Sequence, residues 1–480
     1  MTGLRRSLMF SFLDRYGVYA LGLVGTVIAA RLLTPADFGV FAVGASIVML
    51  IDVLRDFGAG TYLVQVQHPH RDVVRAAYTV SLLISLVCAG LLVGAAGPVA
   101  RFYREPGLES VLLVLAVALL SNPLSTVATS MLRRDMAFDV LAAISIAGAA
   151  MQLVVLSSLA WLGHGYMAMA WGALANGLTR AVAVNIARPI PWAFVPSFAG
   201  WRAVVVFGGW STATAIVNVI YDALPQLLIG RILGAAPVGL FGRAQMVCQL
   251  PDKLVVSAVH PVVLPAMAEY ARNGGSLKSA FLLGIRHMTA VQWPALLCLA
   301  LLADPIVRLL LGPQWGAVPN LVRIMALGML WLFPAFLTYP TLVTLGRIRD
   351  TLIQSLITIP PSLLIILLAS FHGIEAVAAT IWVTAPLQVL VALAFIRRHL
   401  PIALGEIVEA VRPGALIALC TAAGPALVIV LSNLRLDIST PAFVVAVFLA
   451  GCGWILGLQV SGHPLLAEIL GLRRRFLRWA

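Results

Sequence analysis

Apolar runs long enough to cross a bilayer recur from one end of the chain to the other. The segments between them are short and gather the arginines, prolines and glycines. A spanning helix needs about 20 mostly apolar residues. Breaking the chain at its charges, prolines and glycines predicts fourteen spans, starting near Tyr16, Phe38, Tyr78, Leu108, Phe138, Gly165, Val204, Val238, Phe281, Leu321, Leu352, Ile374, Gly414 and Pro441. No polar stretch is long enough for a separate soluble domain, so the pattern reads as one all-α polytopic membrane unit.

Composition agrees: 61% of the 480 residues are hydrophobic and 11% charged, where soluble domains carry roughly 45–50% and about 25%. The net charge of +13 adds orientation rather than a nucleic-acid partner, because the basic residues stand in ones and twos with no dense stripe to track phosphates. With the N-terminus inside, the outer loops hold Arg31, Arg101, Arg104, Arg231, Arg308 and Arg435, and the inner segments hold most of the others. By the positive-inside rule both termini are cytoplasmic, which requires an even number of spans. The first apolar run follows Arg5 and Arg6 without a small-residue cleavage site and reads as a retained helix. Trp161, Trp192, Trp201, Trp293, Trp315 and Trp454 fall near expected helix ends and read as interface markers. The five cysteines lie inside apolar stretches with no CxxC pair, and His68 and His70 have no acidic or cysteine cluster beside them, so no metal site is expected.

The chain repeats itself. "RLLTPADFGVFAVG", from Arg31, aligns without a gap on "RILGAAPVGLFGRA", from Arg231, pairing Arg31 with Arg231, Leu33 with Leu233, Gly39 with Gly239 and Phe41 with Phe241 at an offset of 200 residues. The first copy joins spans one and two, the second spans seven and eight. An offset of six spans leaves both copies on the same side, which makes this a parallel repeat. "LRRDMAFDVL" after span four and "GRIRDTLIQSL" after span ten echo each other in the same way. The expected organisation is two pseudo-symmetric six-helix lobes around a central cavity, residues 1–200 and 201–400, with 401–480 adding two helices and a basic tail. Gly39 and Gly239 read as allowing a tight turn or a close helix approach.

"ARLLTPADFGVFAVG" with "LRDFGAGTYLVQ", then "GRILGAAPVGLFGRAQMVCQLP" and "HPVVLPAMAEYARNGG", resemble the polysaccharide transport branch of the multidrug, oligosaccharidyl-lipid and polysaccharide flippase superfamily. The resemblance runs in order across nearly the whole chain. It implies fourteen helices in two lobes in a bacterial inner membrane, and movement of an undecaprenyl-pyrophosphate-linked oligosaccharide from the cytoplasmic to the periplasmic leaflet by alternating access. Partners would be the lipid-linked oligosaccharide, membrane lipids and the polysaccharide polymerase and chain-length machinery. Three other classes compete: a cation-coupled drug exporter of the same superfamily; a membrane polymerase or ligase of lipid-linked sugars, whose usual outer catalytic loops have no counterpart here; and a scaffold without transport, which would not need the charges on spans two, seven and eight.

Charges retained inside spans are informative because each costs roughly 2.5–3.5 kcal/mol on insertion scales. Asp52, Arg55 and Asp56 share a face of the second span, as a structural ion-pair cluster or a substrate site. The seventh span carries Asn218, Tyr221 and Asp222 before Pro225; the eighth carries Arg243, Gln245, Gln249, Asp252 and Lys253 around Pro251, as cavity lining or inter-lobe packing. For the cargo the resemblance implies, Arg55, Arg243 and Lys253 are the candidate phosphate ligands, and Asn218, Tyr221, Gln245 and Gln249 the candidate sugar contacts. Arg15 and Arg180 are candidates for drawing in the anionic head or, alternatively, headgroup anchors. Asp52, Asp56 and Asp222 are candidates for coupling to a proton or sodium gradient, or counter-ions to the arginines. No cofactor is expected.

Overall fold

The computed structural model describes residues 2–56, 59–66, 70–199, 201–253 and 257–467. Its described elements are helices, without a strand. By mutual contact the chain divides into Met1–Leu240 and Phe241–Ala480. The first unit holds α1 (Thr2–Leu32), α2 (Pro35–Asp56), α3 (Ala59–Gln65), α4 (Arg71–Tyr103), α5 (Gly107–Leu119), α6 (Ser121–Arg134), α7 (Phe138–Trp161), α8 (Met167–Ala187), α9 (Trp201–Ile232) and the start of α10 (Ala235–Cys248). The second holds the rest of α10, then α11 (Ser257–Arg272), α12 (Leu277–Leu301), α13 (Ala303–Leu310), α14 (Val318–Met329), α15 (Ala335–Thr344), α16 (Ile348–Ser370), α17 (Ile374–Ala379), α18 (Ile381–His399), α19 (Leu404–Leu431) and α20 (Thr440–Val460).

Ten spans among the described residues are long and apolar enough to cross a membrane, and Leu277–Leu301 with Ala303–Leu310, bent by 82°, gives up to eleven. α8, α9 and α10 occupy the remaining expected positions, so this multi-pass membrane protein is compatible with fourteen crossings. Several expected spans resolve as helix pairs, among them α2 with α3, α5 with α6, α14 with α15 and α17 with α18. Each later expected start falls in or beside its helix because the same breakers end the helices. Arg104, at φ 59, closes α4, and the Glu105 N–H returns to the Ala100 carbonyl at 3.1 Å, a left-handed cap of the Schellman kind. Ser439 precedes α20 and Pro441 opens it, where a missing N–H costs nothing.

In the first unit α7 packs along α1 and α8, and α9 packs on α2 and α4. The segment between α8 and α9 is tied down from α4. Arg75 donates to the Val195 and Pro196 carbonyls at 2.9 and 3.3 Å, and Thr79 Oγ1 accepts from the Ser197 N–H at 2.9 Å. In the second unit α12 packs along α19 and α19 along α20.

The repeat is visible in the backbone. α1 ends at Leu32 and α2 begins at Pro35; α9 ends at Ile232 and α10 begins at Ala235, the same offset of 200 residues. The two turns use different chemistry. Thr34 caps α2: its hydroxyl accepts from the Asp37 N–H at 3.2 Å, and Asp37 Oδ2 accepts from the Thr34 N–H at 3.0 Å, a reciprocal cap of the kind that satisfies orphan donors at a helix start. At the matching position stands Gly234 with φ +92, a conformation that suits glycine. The second echo behaves likewise: Met136 at φ 56 precedes α7 and Gly346 at φ 71 precedes α16, each one residue before the helix's N-cap.

The tryptophans depart from the sequence expectation. Trp161, Trp192 and Trp201 are exposed near element ends, but Trp315 is fully buried, and Trp293 and Trp454 lie inside α12 and α20. Trp454 Nε1 donates to the Ala290 carbonyl and Trp293 Nε1 to the Leu330 carbonyl, both at 2.9 Å. Ala290 lies inside α12, where its carbonyl would receive the N–H of residue 294, a proline. The Trp454 indole therefore fills an acceptor that proline leaves vacant, whereas Trp293 bonds a carbonyl of the 3-10 turn Leu330–Leu332 that follows α14.

Candidate functional site

The α1–α2 and α9–α10 hairpins meet each other. A Cβ added to Gly39 would sit 1.7 Å from the Ala235 carbonyl oxygen, and one added to Gly239 would sit 1.9 Å from the Pro35 carbonyl oxygen. Pro35 and Ala235 are themselves matching positions, as are Gly39 and Gly239, so the contact is reciprocal about a local two-fold. Of the two expected uses of these glycines, close approach is the one found: neither has a positive φ. Leu33, Phe38, Val43, Ala235 and Val238 are buried around the crossing. Asp37 Oδ1 also accepts from the Tyr166 N–H at 3.0 Å, tying the start of α8 to the first hairpin.

Deeper along α2 lies the Asp52 and Arg55 pair. Arg55 Nε stands 3.2 Å from Asp52 Oδ1, with the arginine side chain 14% exposed and the aspartate 41%. The approach is ionic rather than an aligned hydrogen bond. Arg55's terminal nitrogens reach across to Asn122 on α6, whose amide places its oxygen toward the guanidinium because the reverse orientation would set donors against donors. The Asn122 backbone carbonyl in turn accepts from the Ser125 and Thr126 hydroxyls, each at 2.9 Å. The side chain of Asp56 lies outside the described residues.

On α9 Tyr221 is partly buried and Asp222 exposed, next to the break at Pro225. One turn on, the Gln226 amide lies 2.8 Å from Ser46 Oγ of α2. The side chain of Asn218 lies outside the described residues. Arg15 is exposed on α1; Arg180 is exposed on α8, with its Cγ against the Gly148 backbone of α7. Beside it Asn176 donates to Gln152 at 2.7 Å.

In the second unit, Arg243 is partly buried on α10, its Nη1 3.6 Å from Met246 Sδ. Gln245 and Gln249 are partly buried and Lys253 is exposed. The regular helix ends at Cys248, ahead of Pro251, which lacks an N–H for the Val247 carbonyl. Asp252 Oδ1 accepts from Gln292 Nε2 of α12 at 3.2 Å. His68 lies outside the described residues.

The structure thus joins Arg55 to Asp52 within the first unit, and gathers Arg243, Gln245, Gln249 and Lys253 on or just after α10. Sequence reasoning missed Asn122 and the Ser46 and Gln226 contact. The hydroxyl-rich stretch "SNPLSTVATS", Ser121 to Ser130, was the available signal.

A family model described as polysaccharide biosynthesis protein matches residues 28–319, more than half of the chain. The chain belongs to this family. Among curated relatives of this family member, the succinoglycan biosynthesis transport protein ExoT of Rhizobium meliloti (strain 1021) is 26% identical over 342 residues, 71% of this chain and 69% of that protein. The lipopolysaccharide biosynthesis protein WzxC of Escherichia coli (strain K12) is 24% identical over 321 residues, 65% of this chain and 64% of that protein. An uncharacterized membrane protein in the cps region of Klebsiella pneumoniae is 21% identical over 493 residues, 98% of each chain. Among solved structures, lipid II flippase MurJ in an inward closed conformation aligns with a TM-score of 0.77 at 13% identity, covering 96% of this chain and 100% of that one. An inward-facing multidrug resistance MATE family transporter of the MOP superfamily aligns with 0.57 at 13% identity, covering 84% of this chain and 95% of that one. These two likenesses establish the fold.

Proposed function

We propose that this family member is a flippase carrying a polyprenyl-pyrophosphate-linked oligosaccharide from the cytoplasmic to the periplasmic leaflet of the bacterial inner membrane, by alternating access, for surface polysaccharide assembly. The observation that carries the reading is the Arg55 guanidinium, kept inside a membrane span with its donors already directed by Asp52 and Asn122. An apolar span retains such a cation at a cost, and a pyrophosphate is the ligand class that rewards it, because charge-assisted bonds from a guanidinium to phosphate oxygens are strong and directional.

In this reading Arg55, Arg243 and Lys253 bind phosphate, while Asn218, Tyr221, Gln245 and Gln249 contact the glycan. Arg15 and Arg180, both exposed, receive the head from the inner leaflet. Asp52, Asp56 and Asp222 are the candidate proton or sodium carriers. Residues 1–200 and 201–400 form the duplicated lobes, with 401–480 appended, and both termini are cytoplasmic. The chain acts as a transporter rather than an enzyme, handing cargo to the polymerase and chain-length machinery. The relatives named for succinoglycan transport and lipopolysaccharide biosynthesis support the cargo class.

The test is mass spectrometry of lipid extracts from a strain lacking the gene and from the complemented strain. Accumulation of a polyprenyl-pyrophosphate oligosaccharide with loss of exported polymer is expected. Unchanged lipids and polymer, with new sensitivity to apolar cations, would instead select the drug exporter.

A further inference from the structure

Arg55 has two partners of different kinds among the described residues. Asp52, on the same helix, is a carboxylate; Asn122, from α6, is a neutral amide that meets the terminal nitrogens of the guanidinium. Those terminal nitrogens are the ones an incoming phosphate would use in a bidentate pair.

The neutrality of the second partner matters. A carboxylate at position 122 would complete a fork-to-fork ion pair and leave the guanidinium closed on both sides. An amide oxygen holds the same donors in place through bonds assisted by the guanidinium charge alone, weaker than an ion pair in which both partners are charged. A phosphate oxygen can therefore take over from the amide with a net gain, whereas it would have to compete with a carboxylate on equal terms. The holder is itself fixed, since the Ser125 and Thr126 hydroxyls both bond the Asn122 backbone carbonyl, and Pro123 follows in the chain.

We propose that Asn122 is a positioning residue that holds the Arg55 donors in a phosphate-ready geometry while leaving the guanidinium charge available to the pyrophosphate of the cargo. This rests on the flippase reading for the identity of the cargo, but the anion site is testable by itself.

The experiment is binding of inorganic pyrophosphate to the purified full chain in nanodiscs. Asn122→Asp is expected to weaken binding about tenfold, because phosphate must then displace a charged acceptor instead of a neutral one. Asp52→Asn combined with Asn122→Asp moves the single carboxylate to the other side of Arg55, and is expected to restore binding to near the original value. Asn122→Gln, which keeps a neutral acceptor, is expected to lose less than Asn122→Asp. Asn122→Glu replaces the aspartate variant if that one does not accumulate in the membrane. Equal losses for Gln and Asp, no loss for Asp, or no recovery in the double variant would overturn the proposal, as would an original chain that binds no pyrophosphate. If pyrophosphate binding follows the expected order but the gene-deletion strain accumulates no lipid-linked oligosaccharide, the flippase reading fails and the role of Asn122 stands.

Discussion

Pro294 removes the N–H that a helix would supply to the Ala290 carbonyl. A bilayer offers no water to replace it. Trp454 solves this with an indole donor brought from elsewhere in the second unit, and Trp293 ties α12 to the Leu330 carbonyl of the turn after α14. Phe at position 454 would keep the apolar bulk and leave the buried Ala290 carbonyl unpaired, at a cost of about 1–3 kcal/mol; Phe at position 293 would remove the tie to Leu330. Trp454→Phe and Trp293→Phe are each expected to lower the thermal unfolding midpoint of the purified protein while leaving its membrane insertion intact. A midpoint equal to the original would mean the carbonyls have other partners. The same scale governs transport. Arg243 is the single charged residue of α10, and in the proposed reading it meets phosphate directly. Arg243→Ala is expected to abolish polymer export with protein abundance preserved, measured by immunoblot beside polymer yield. Normal export would remove Arg243 from the path; reduced abundance would make it a packing residue. These residues were unequally legible in the sequence. Arg55 and Arg243 announce themselves because a charge interrupts an apolar run. Asn122 was passed over because its neighbours return their hydroxyls to their own helix, Ser125, Thr126 and Ser130 all bonding carbonyls three or four residues back, so the stretch stays compatible with a membrane span. Trp293 and Trp454 were misread because position along a helix gives no sign of an acceptor carbonyl on a different element.

At the scale of elements, the α1–α2 and α9–α10 hairpins are the most constrained contact in the first unit. Backbone meets backbone at Gly39 and Gly239, so no side-chain rotation can make room for a larger residue there. Overpacking of this kind costs roughly 1–3 kcal/mol, charged here against the single arrangement in which the hairpins touch. Gly39→Val is therefore expected to open this face. Val238 is fully buried beside the crossing, and a cysteine placed there should resist a membrane-impermeant maleimide in the original background and react in the Gly39→Val background. Equal labelling in both would show that the hairpins do not close this side. The duplicated motif was readable because its spacing is strict, down to the shared helix boundaries. Its purpose was only half readable. A glycine in a hairpin serves a turn or a close approach equally well in sequence, and only the partner carbonyl, about 200 residues away along the chain, decides between them.

For the whole molecule, hydropathy located the helices well because the bilayer imposes one requirement on every span: apolar side chains and internally paired backbone. It was less informative where a span is broken. α12 and α13 are bent by 82° about Leu302, and a bend at such an apolar residue changes direction without changing polarity. The arginine bias between alternate loops is the ground for the proposed orientation. Reporter fusions at both ends are expected to read as cytoplasmic; a periplasmic signal from one end alone would require an odd number of crossings, and from both an inverted chain. The central claim is movement of a lipid-linked glycan between leaflets. Its most direct test uses proteoliposomes containing the full chain and a polyprenyl-pyrophosphate oligosaccharide with a fluorophore on its sugar, to which an impermeant quencher is added outside. Quenching that proceeds beyond the outward-facing pool, and that Arg55→Ala abolishes, is the predicted result; quenching that stops at that pool, as in protein-free vesicles, would contradict the account.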